Sequence, residues 1–215
     1  MHDKNSCVPG QEGVYPGDCE LTRSLLEKAA ARMENHEKGY VWRACFPKAK
    51  EVKLLLLDVD GVLTDGSIAY TDQGIEIKTF HVRDGFGMNL LRKTGVEIGL
   101  ITARSSEALT RRVKDLNLTH VFQGKRKKVE VYEELIEHLH LAPHEVAYMG
   151  DDWLDLALLN RVGFSATVAD AASEVREAVD YVTRRPGGRG AVREVCDLII
   201  DAKGLHDELL DEYLL

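Results

Sequence analysis

Two aspartates, Asp58 and Asp60, follow a run of four leucines at residues 54–57. Four consecutive leucines predict a strand buried on both faces, as in the middle of a parallel sheet. Because strand side chains alternate, the two carboxylates would share one face if the chain stays extended. Buried carboxylates are costly unless a cation compensates their charge. The pair, followed by a turn at Gly61, therefore indicates a site for a divalent metal and a phosphate.

Three further segments carry the residue types that phosphoryl chemistry needs. They are Ile101 to Ser105 with Thr102, the lysines Lys125 and Lys128, and Gly150 to Asp155 with Asp151 and Asp152. Each signal has an ordinary alternative, since DxDG and GDD are common turn compositions and a single threonine or lysine is more often structural. The occurrence of all four segments in this order favours phosphoryl chemistry over these structural alternatives.

From residue 51 onward, predicted strands and helices alternate. After the strand at 53–59, alternating apolar and polar residues over 67–71 and 75–81 predict a β-hairpin. Further strands are predicted at 96–102, 120–123, 145–150, 163–168 and 181–183, and helices at 84–94, 105–116, 127–140, 154–161, 171–179 and 190–203. Repeated β-α units predict a three-layer α/β/α fold with a mostly parallel sheet. Ligands of such sheets bind beyond the carboxyl ends of the strands, where the four segments fall.

The sequence divides into an N-terminal extension at 1–50, the α/β domain at 51–203 and a C-terminal tail at 204–215. The extension starts with a glycine- and proline-rich loop and continues with a helical pattern over 21–37, but the sequence assigns it no function. The tail has an amphipathic pattern. It is either a solvated helix or a lid that docks on the active site of a neighbouring subunit.

Composition argues against several classes of protein. The chain has 215 residues and a net charge of −8, which disfavours a nucleic-acid-binding surface. No apolar run approaches the ~20 residues of a membrane helix, and the first residues lack the apolar segment of a signal peptide. The cysteines form no CxxC pair, so we expect reduced thiols in a cytoplasmic protein. A zinc site built from Cys7, Cys19 and Cys45 is the weaker alternative.

In order and spacing, the four segments resemble the four motifs of the haloacid dehalogenase (HAD) phosphatase superfamily, beginning with DxDGxxT at residues 58–64. The resemblance covers residues 51–203 and implies a HAD-like Rossmannoid fold. It implies that Asp58 is a nucleophile that forms an aspartyl phosphate, and that Asp60 is first a general acid and then a general base. Mg²⁺ would be held by the Asp58 carboxylate, the Asp60 backbone carbonyl and Asp151.

The same resemblance assigns the remaining motif residues. Thr102 would hydrogen-bond a phosphoryl oxygen, together with backbone N–H groups at the following helix start. Lys128 would neutralise the nucleophile and the phosphate, with Lys125 as the alternative. Asp152 and Asp155 would orient ligands and waters rather than bind the metal.

The spacing between motifs leaves no room for a cap domain. Thr64 to Thr102 holds only a hairpin and a helix, and Arg104 to Lys128 holds one helix and one strand. A capless HAD member is therefore expected, with the hairpin as a flap after the first motif. Capless members often use a neighbouring subunit to cover the site.

Longer segments of the sequence narrow the resemblance to one family within the superfamily. Residues 58–66, 80–87, 124–125, 146–152, 181–184 and 187–194 resemble the 3-deoxy-D-manno-octulosonate 8-phosphate (KDO 8-phosphate) phosphatase family. This implies hydrolysis of KDO 8-phosphate for lipopolysaccharide synthesis, and a homotetramer in which the hairpin builds a barrel between subunits. The chain departs from the family in its extension, at Ala103 and at Trp153.

Several residues are candidate contacts to an acidic sugar phosphate. Arg83, Arg104 and Arg112 could pair with a substrate carboxylate, although a surface or helix-end arginine is the ordinary alternative. The full predicted set is His81, Arg83, Asp84, Gly85, Arg104, Arg112 and Arg189. Two other functions stay open: a phosphatase for a nine-carbon acid, KDN 9-phosphate or sialic acid 9-phosphate, and an inactive HAD-fold binding protein.

Overall fold

The four leucines form the central strand of a six-stranded parallel sheet. This strand, β1 (Leu54–Leu57), is buried at every position and pairs in parallel with β4 (Glu97–Ile101) on one side and β6 (Val146–Met149) on the other. The sheet order is β5-β4-β1-β6-β7-β8, with β5 at His120–Phe122, β7 at Phe164–Thr167 and β8 at Tyr181–Val182. The computed structural model describes residues 23–25 and 39–214, and residues 40–213 belong to one compact unit. The predicted α/β fold with a parallel sheet is confirmed.

The helices between the strands and after the last strand lie at the predicted places, with ends that differ by a few residues, whereas the two short helices before β1 were not predicted. They are α1 (Tyr40–Ala44), α2 (Phe46–Ala49), α3 (Val82–Lys93), α4 (Glu107–Asp115), α5 (Lys128–His138), α6 (Trp153–Leu159), α7 (Ser173–Ala178), α8 (Ala191–Ala202) and α9 (His206–Asp211), with a 3-10 turn at Pro143–Glu145. None of the helices in the described part of the chain is long and apolar enough to span a membrane.

Helices α3 and α8 approach each other closely at Gly87. A Cβ atom at this position would lie 3.1 Å from the Cα atom of Arg193 and 3.4 Å from the Cβ atom of Cys196. The inner side of α8, including Val192, Val195 and Cys196, is fully buried. Burying a large apolar side chain stabilises the folded state by about 1.5–3 kcal/mol, so the contact between these two helices contributes substantially to the stability of the core.

The hairpin is shorter than predicted. Its strands, β2 (Ala69–Tyr70) and β3 (Glu76–Ile77), pair over two residues each, and Gly74 takes a positive φ of 76° in the turn. Ile68, Tyr70, Ile75 and Ile77 are each at least half exposed. An isolated two-stranded hairpin is marginally stable, so this segment depends on contacts with the rest of the domain.

Residues 40–50, which the sequence assigns to the extension, pack on the α/β domain. Trp42 Nε1 donates a hydrogen bond to Asp201 Oδ2 at 3.0 Å, and its ring meets the ring of Tyr181 edge to face. The predicted helix at 21–37 is described only at 23–25, where it is helical. Cys7 and Cys19 lie outside the described residues, while Cys45 and Cys196 are buried free thiols.

The C-terminal tail packs on α3 of its own chain. Leu209 in α9 is buried, Glu212 forms an ion pair with Lys93, and the Tyr213 ring meets Phe86 edge to face with 5.6 Å between centroids. Leu215 lies outside the described residues. The tail thus packs on its own chain in this structure. Its alternative role, as a lid on the active site of a neighbouring subunit, stays a prediction.

Candidate active site

The motif segments meet at one edge of the sheet because three neighbouring strands end there. Asp58 follows β1, Thr102 follows β4 and Asp151 lies two residues after β6. Strand β1 lies between the other two, and the Asp58 backbone N–H continues the ladder by donating to the Met149 carbonyl at 2.9 Å. The topology therefore brings together residues that are far apart in the chain.

Lys128 is a buried cation that contacts the predicted nucleophile. Its Nζ atom lies 2.7 Å from Asp58 Oδ1 and 2.7 Å from Asp155 Oδ1, and the residue is 4% exposed. Burial alone would lower the pKa of Lys128, but attraction to Asp58 and Asp155 outweighs burial and raises it. Lys125, the alternative lysine, is exposed. The ammonium group beside Asp58 therefore belongs to Lys128.

Asp155 organises this end of the site through both of its carboxylate oxygens. Oδ1 accepts hydrogen bonds from Lys128 Nζ and from the Tyr148 hydroxyl at 2.5 Å. Oδ2 accepts from the backbone N–H groups of Asp151 at 3.0 Å and Asp152 at 3.2 Å. Because protein donors occupy both oxygens, Asp155 is suited to orient its neighbours, as the sequence predicts. Asp152 caps the start of α6 by accepting from the N–H of Trp153.

Tyr148 contacts the predicted site residues, although it was not predicted from the sequence. It is fully buried in β6, and its hydroxyl accepts a hydrogen bond from Lys128 Nζ at 3.1 Å while donating to Asp155. The available signal was a hydroxyl in the otherwise apolar stretch 146–149, just before the GDD turn. A buried tyrosine hydroxyl needs a polar partner, which pointed to a polar centre nearby.

The carboxylates of Asp58, Asp151 and Asp155 lie close enough together to form a divalent metal site. One oxygen each from Asp58, Asp151 and Asp155 lies within 4.8 Å of the others. Gly61 allows this approach, since a Cβ atom there would lie 2.0 Å from Asp151 Oδ2. Burial, together with Asp155, raises the pKa of Asp58 to about 6 despite Lys128. Burial and repulsion from Asp58 and Asp155 raise the pKa of Asp151 to about 7. Three clustered carboxylates beside one lysine leave excess negative charge, which a hard dication would compensate.

These raised pKa values predict that the metal-free protein loses stability as pH rises between about 4 and 7. The pKa values of Asp58 and Asp151 are about 6 and about 7 in the folded chain, above the ordinary aspartate value of 3.8. In this pH window the folded state therefore binds more protons than the unfolded state. Thermal unfolding in EDTA would measure the slope. We expect Asp58→Asn to flatten it and excess Mg²⁺ to reverse it, since the ion needs ionised ligands. An identical slope in the variant would contradict this origin.

Asp60 lies in a group of charged residues supplied partly by the hairpin. Its carboxylate forms an ion pair with Lys78 Nζ, and its Oδ2 lies 3.8 Å from Arg104 Nε. Arg104 Nη2 also contacts Glu76 Oε1 at 2.5 Å. Lys78 and Glu76 were not predicted as site residues, because charged residues are ordinary in a solvated hairpin.

Thr102 is buried at the end of β4. Its Oγ1 accepts a hydrogen bond from the Arg104 N–H at 3.2 Å, and a hydroxyl that accepts in this way can still donate its hydrogen. The Thr102 carbonyl accepts from the Lys125 N–H at 2.8 Å. Lys125 thus contributes its backbone to the second motif rather than its side chain.

Of the predicted substrate contacts, His81, Asp84, Gly85 and Arg112 form one group around the start of α3. Arg112 Nη2 donates to the His81 carbonyl at 3.5 Å, and a Cβ atom at Gly85 would lie 2.3 Å from the same nitrogen. Asp84 is buried and accepts from the N–H groups of Arg193 at 2.8 Å and Gly190 at 3.3 Å. Burial raises the pKa of Asp84 despite these bonds. Asp84 therefore anchors the start of α8 instead of offering a free carboxylate.

The other predicted contacts lie on the surface. Arg83 is exposed in the first turn of α3. Trp153, where the chain departs from the family, is 63% exposed at the start of α6. Arg189 Nη2 lies 3.5 Å from Asp65 Oδ2. The loop that carries Arg189 packs on the first motif, because the Gly188 N–H donates to the Val62 carbonyl at 3.0 Å.

A parallel sheet with this set of acids and one buried lysine at its carboxyl edge defines a haloacid dehalogenase-like hydrolase. The family model described as haloacid dehalogenase-like hydrolase matches residues 118–193. KDO 8-phosphate phosphatase KdsC of Escherichia coli K12 is 46% identical over 161 residues, which cover 75% of this chain and 86% of that protein. The chain therefore belongs to the KDO 8-phosphate phosphatase family.

Solved structures agree with this assignment. The phosphatase from Moraxella catarrhalis, solved with magnesium, phosphate and KDO, is 39% identical with a TM-score of 0.77, over 79% of this chain and 98% of that one. The cobalt-bound phosphatase from Haemophilus influenzae is 40% identical with a TM-score of 0.71, over 73% of this chain and 92% of that one.

Proposed function

We propose that this chain hydrolyses KDO 8-phosphate to KDO and phosphate, a step of lipopolysaccharide biosynthesis. The observation that carries the proposal is the 2.7 Å contact between Lys128 Nζ and the buried Asp58 carboxylate, at the carboxyl end of β1. An anionic nucleophile can approach a phosphate only where positive charge offsets the repulsion, and this contact supplies part of that charge. Family membership supports the choice of substrate.

In the first step, an Asp58 oxygen attacks phosphorus and the bond between phosphorus and the sugar oxygen breaks. Asp60 donates its proton to that oxygen, so that KDO leaves as an alcohol. The product on the protein is an aspartyl phosphate. Thr102 and Lys128 hold the phosphoryl oxygens during the transfer.

In the second step, water attacks the phosphorus of the aspartyl phosphate. Asp60, now a carboxylate, takes a proton from that water, and the bond between phosphorus and the Asp58 oxygen breaks. Phosphate leaves and both aspartates return to their starting states. One acid thus serves both half-reactions, as microscopic reversibility favours.

Mg²⁺ is the proposed ion, held by the carboxylates of Asp58 and Asp151 and by the Asp60 backbone carbonyl. Bound there, it would neutralise charge on the phosphoryl group. The hard oxygen ligands suit Mg²⁺, which keeps several waters. Asp152 and Asp155 orient the loop that presents Asp151.

We expect the protein to be cytoplasmic.

The test of this function is phosphate release from KDO 8-phosphate with Mg²⁺ and with EDTA. We expect turnover with Mg²⁺, loss in EDTA and recovery on adding excess Mg²⁺, because three acids without an ion repel the phosphate. KDN 9-phosphate and sialic acid 9-phosphate serve as rival substrates, and both should give a lower kcat/KM. A higher value for either would reassign the substrate, and turnover in EDTA would contradict the metal-dependent mechanism.

The proposal includes a homotetramer in which a neighbouring subunit covers the site. The exposed apolar side chains of the hairpin, Ile68, Tyr70, Ile75 and Ile77, support self-association through this segment. The described residues between the motifs also form no cap domain that could exclude water.

Solution mass tests the assembly. We expect a tetramer by light scattering, and a smaller species with reduced turnover in Ile75→Lys, where a charge would enter the shared apolar surface. Ile75 is 63% exposed, so the substitution should spare the fold of one chain. A wild-type monomer with full activity would contradict a subunit acting as the cap.

A further inference from the structure

Four charged side chains form a closed ring of alternating sign beside the first motif. Asp60 forms an ion pair with Lys78, whose Nζ atom lies 3.8 Å from Glu76 Oε1. The same Glu76 oxygen lies 2.5 Å from Arg104 Nη2, and Arg104 Nε lies 3.8 Å from Asp60 Oδ2. The ring therefore joins the predicted acid-base residue to the predicted substrate-binding arginine through two residues of the hairpin.

The two hairpin residues are turned inward. Glu76 and Lys78 are two positions apart, so an extended chain places them on one face and Ile77 on the other. The side chains of Lys78 and Glu76 are 3% and 15% exposed, whereas Ile77 is 50% exposed. Ion pairs withdrawn from solvent are screened less than surface pairs. The inner face of the hairpin thus carries buried ion pairs, and the outer face carries an exposed apolar side chain.

One donor of Arg104, Nε, makes no hydrogen bond within the described part of the chain, although it lies 3.8 Å from Asp60 Oδ2. Its Nε atom is buried and has no hydrogen-bond acceptor among the described residues, although Glu76 occupies Nη2 on the same guanidinium. A buried donor without an acceptor is costly, and it is expected where a ligand completes the bond. Because the guanidinium is planar, fixing Nη2 also fixes the direction of Nε.

We propose that Glu76 and Lys78 are positioning residues of this active site. Glu76 holds the Arg104 guanidinium in the direction in which it can pair with the carboxylate of the substrate, and Lys78 holds the Asp60 carboxylate at the leaving oxygen. Glu76 thereby acts on substrate selection and Lys78 on the chemical steps. The part concerning Glu76 rests on the proposed function, since it requires a substrate that carries a carboxylate.

The test compares KDO 8-phosphate with p-nitrophenyl phosphate, which has no carboxylate, in Glu76→Gln and Lys78→Met. For Glu76→Gln we expect KM for KDO 8-phosphate to rise roughly 10-fold, with kcat and all constants for p-nitrophenyl phosphate unchanged. For Lys78→Met we expect kcat to fall roughly 10-fold or more on both substrates, because water attack on the aspartyl phosphate passes through Asp60 in either case. A merely structural role of Glu76 would move both substrates alike in Glu76→Gln, and the charge-conserving Lys78→Arg variant makes the corresponding distinction for Lys78.

Asp72→Asn is the matched control, since Asp72 is an exposed carboxylate in the turn of the same hairpin. It should leave all constants unchanged. Lys78→Arg keeps the charge and should recover most of kcat, which guards against a folding defect in Lys78→Met. Equal losses on the two substrates in Glu76→Gln, or an unchanged kcat in Lys78→Met, would overturn the proposal. If the wild type turned over p-nitrophenyl phosphate but not KDO 8-phosphate, the proposed function would fail while the Lys78 result would still decide that residue's role.

Discussion

Asp58→Asn should lower kcat for KDO 8-phosphate by about 10⁴-fold or more, since an amide cannot form the aspartyl phosphate. The variant should remain folded. Asp58 is a buried carboxylate whose pKa is raised to about 6 by burial and by Asp155, so neutralising it removes repulsion from the metal-free protein. Single-turnover kinetics with quenched protein would show labelled phosphate on the wild type and none on the variant.

The exposed Asp72→Asn variant is a control for the general effect of this substitution and for contaminating phosphatases. Equal rates for Asp58→Asn and the wild type would remove Asp58 from the mechanism. Thermal unfolding in EDTA at about pH 7 separates chemistry from folding. There the inactive variant should unfold at the same temperature as the wild type or a higher one, because it lacks one of the clustered charges.

Lys128→Met is expected to damage both activity and stability. The substitution leaves Asp58 and Asp155 buried without their cation, and removing one partner of a buried ion pair costs about 3–5 kcal/mol. The loss of positive charge beside the nucleophile should lower kcat by roughly 10³-fold. Urea unfolding measures the first effect, and phosphate release with saturating Mg²⁺ measures the second.

Lys125→Met provides the matched control three positions earlier. Lys125 has an exposed side chain and contributes only its backbone N–H to Thr102, so both measurements should stay near wild type. If Lys125→Met lost activity while Lys128→Met kept it, the assignment of the phosphate-neutralising lysine would be reversed.

The chain's local patterns predicted the fold and the motif residues. The leucines at 54–57 are apolar at every position, as a strand buried on both faces requires, and they form the central strand. Once a parallel sheet is expected, residues that follow its strands must meet at one edge. Asp58, Thr102 and Asp151 were therefore predictable as neighbours from their places after strands alone.

Contacts that cross the chain without a local pattern were decided only by the tertiary structure. Asp84 looked like a pocket residue, but its partner N–H groups belong to Gly190 and Arg193, more than a hundred positions away. Tyr148 was hidden in an apolar strand until packing placed its hydroxyl on Asp155.

The hairpin also shows the difference between what a sequence pattern predicts and what the tertiary structure decides. Its alternation was readable, yet nothing in that alternation says that Glu76 and Lys78 face Arg104 and Asp60. Periodicity fixes which side chains share a face, whereas the partner of that face depends on how the hairpin folds back over the sheet edge. The sequence by itself thus predicted which groups react, and the tertiary structure decided which residues contact them.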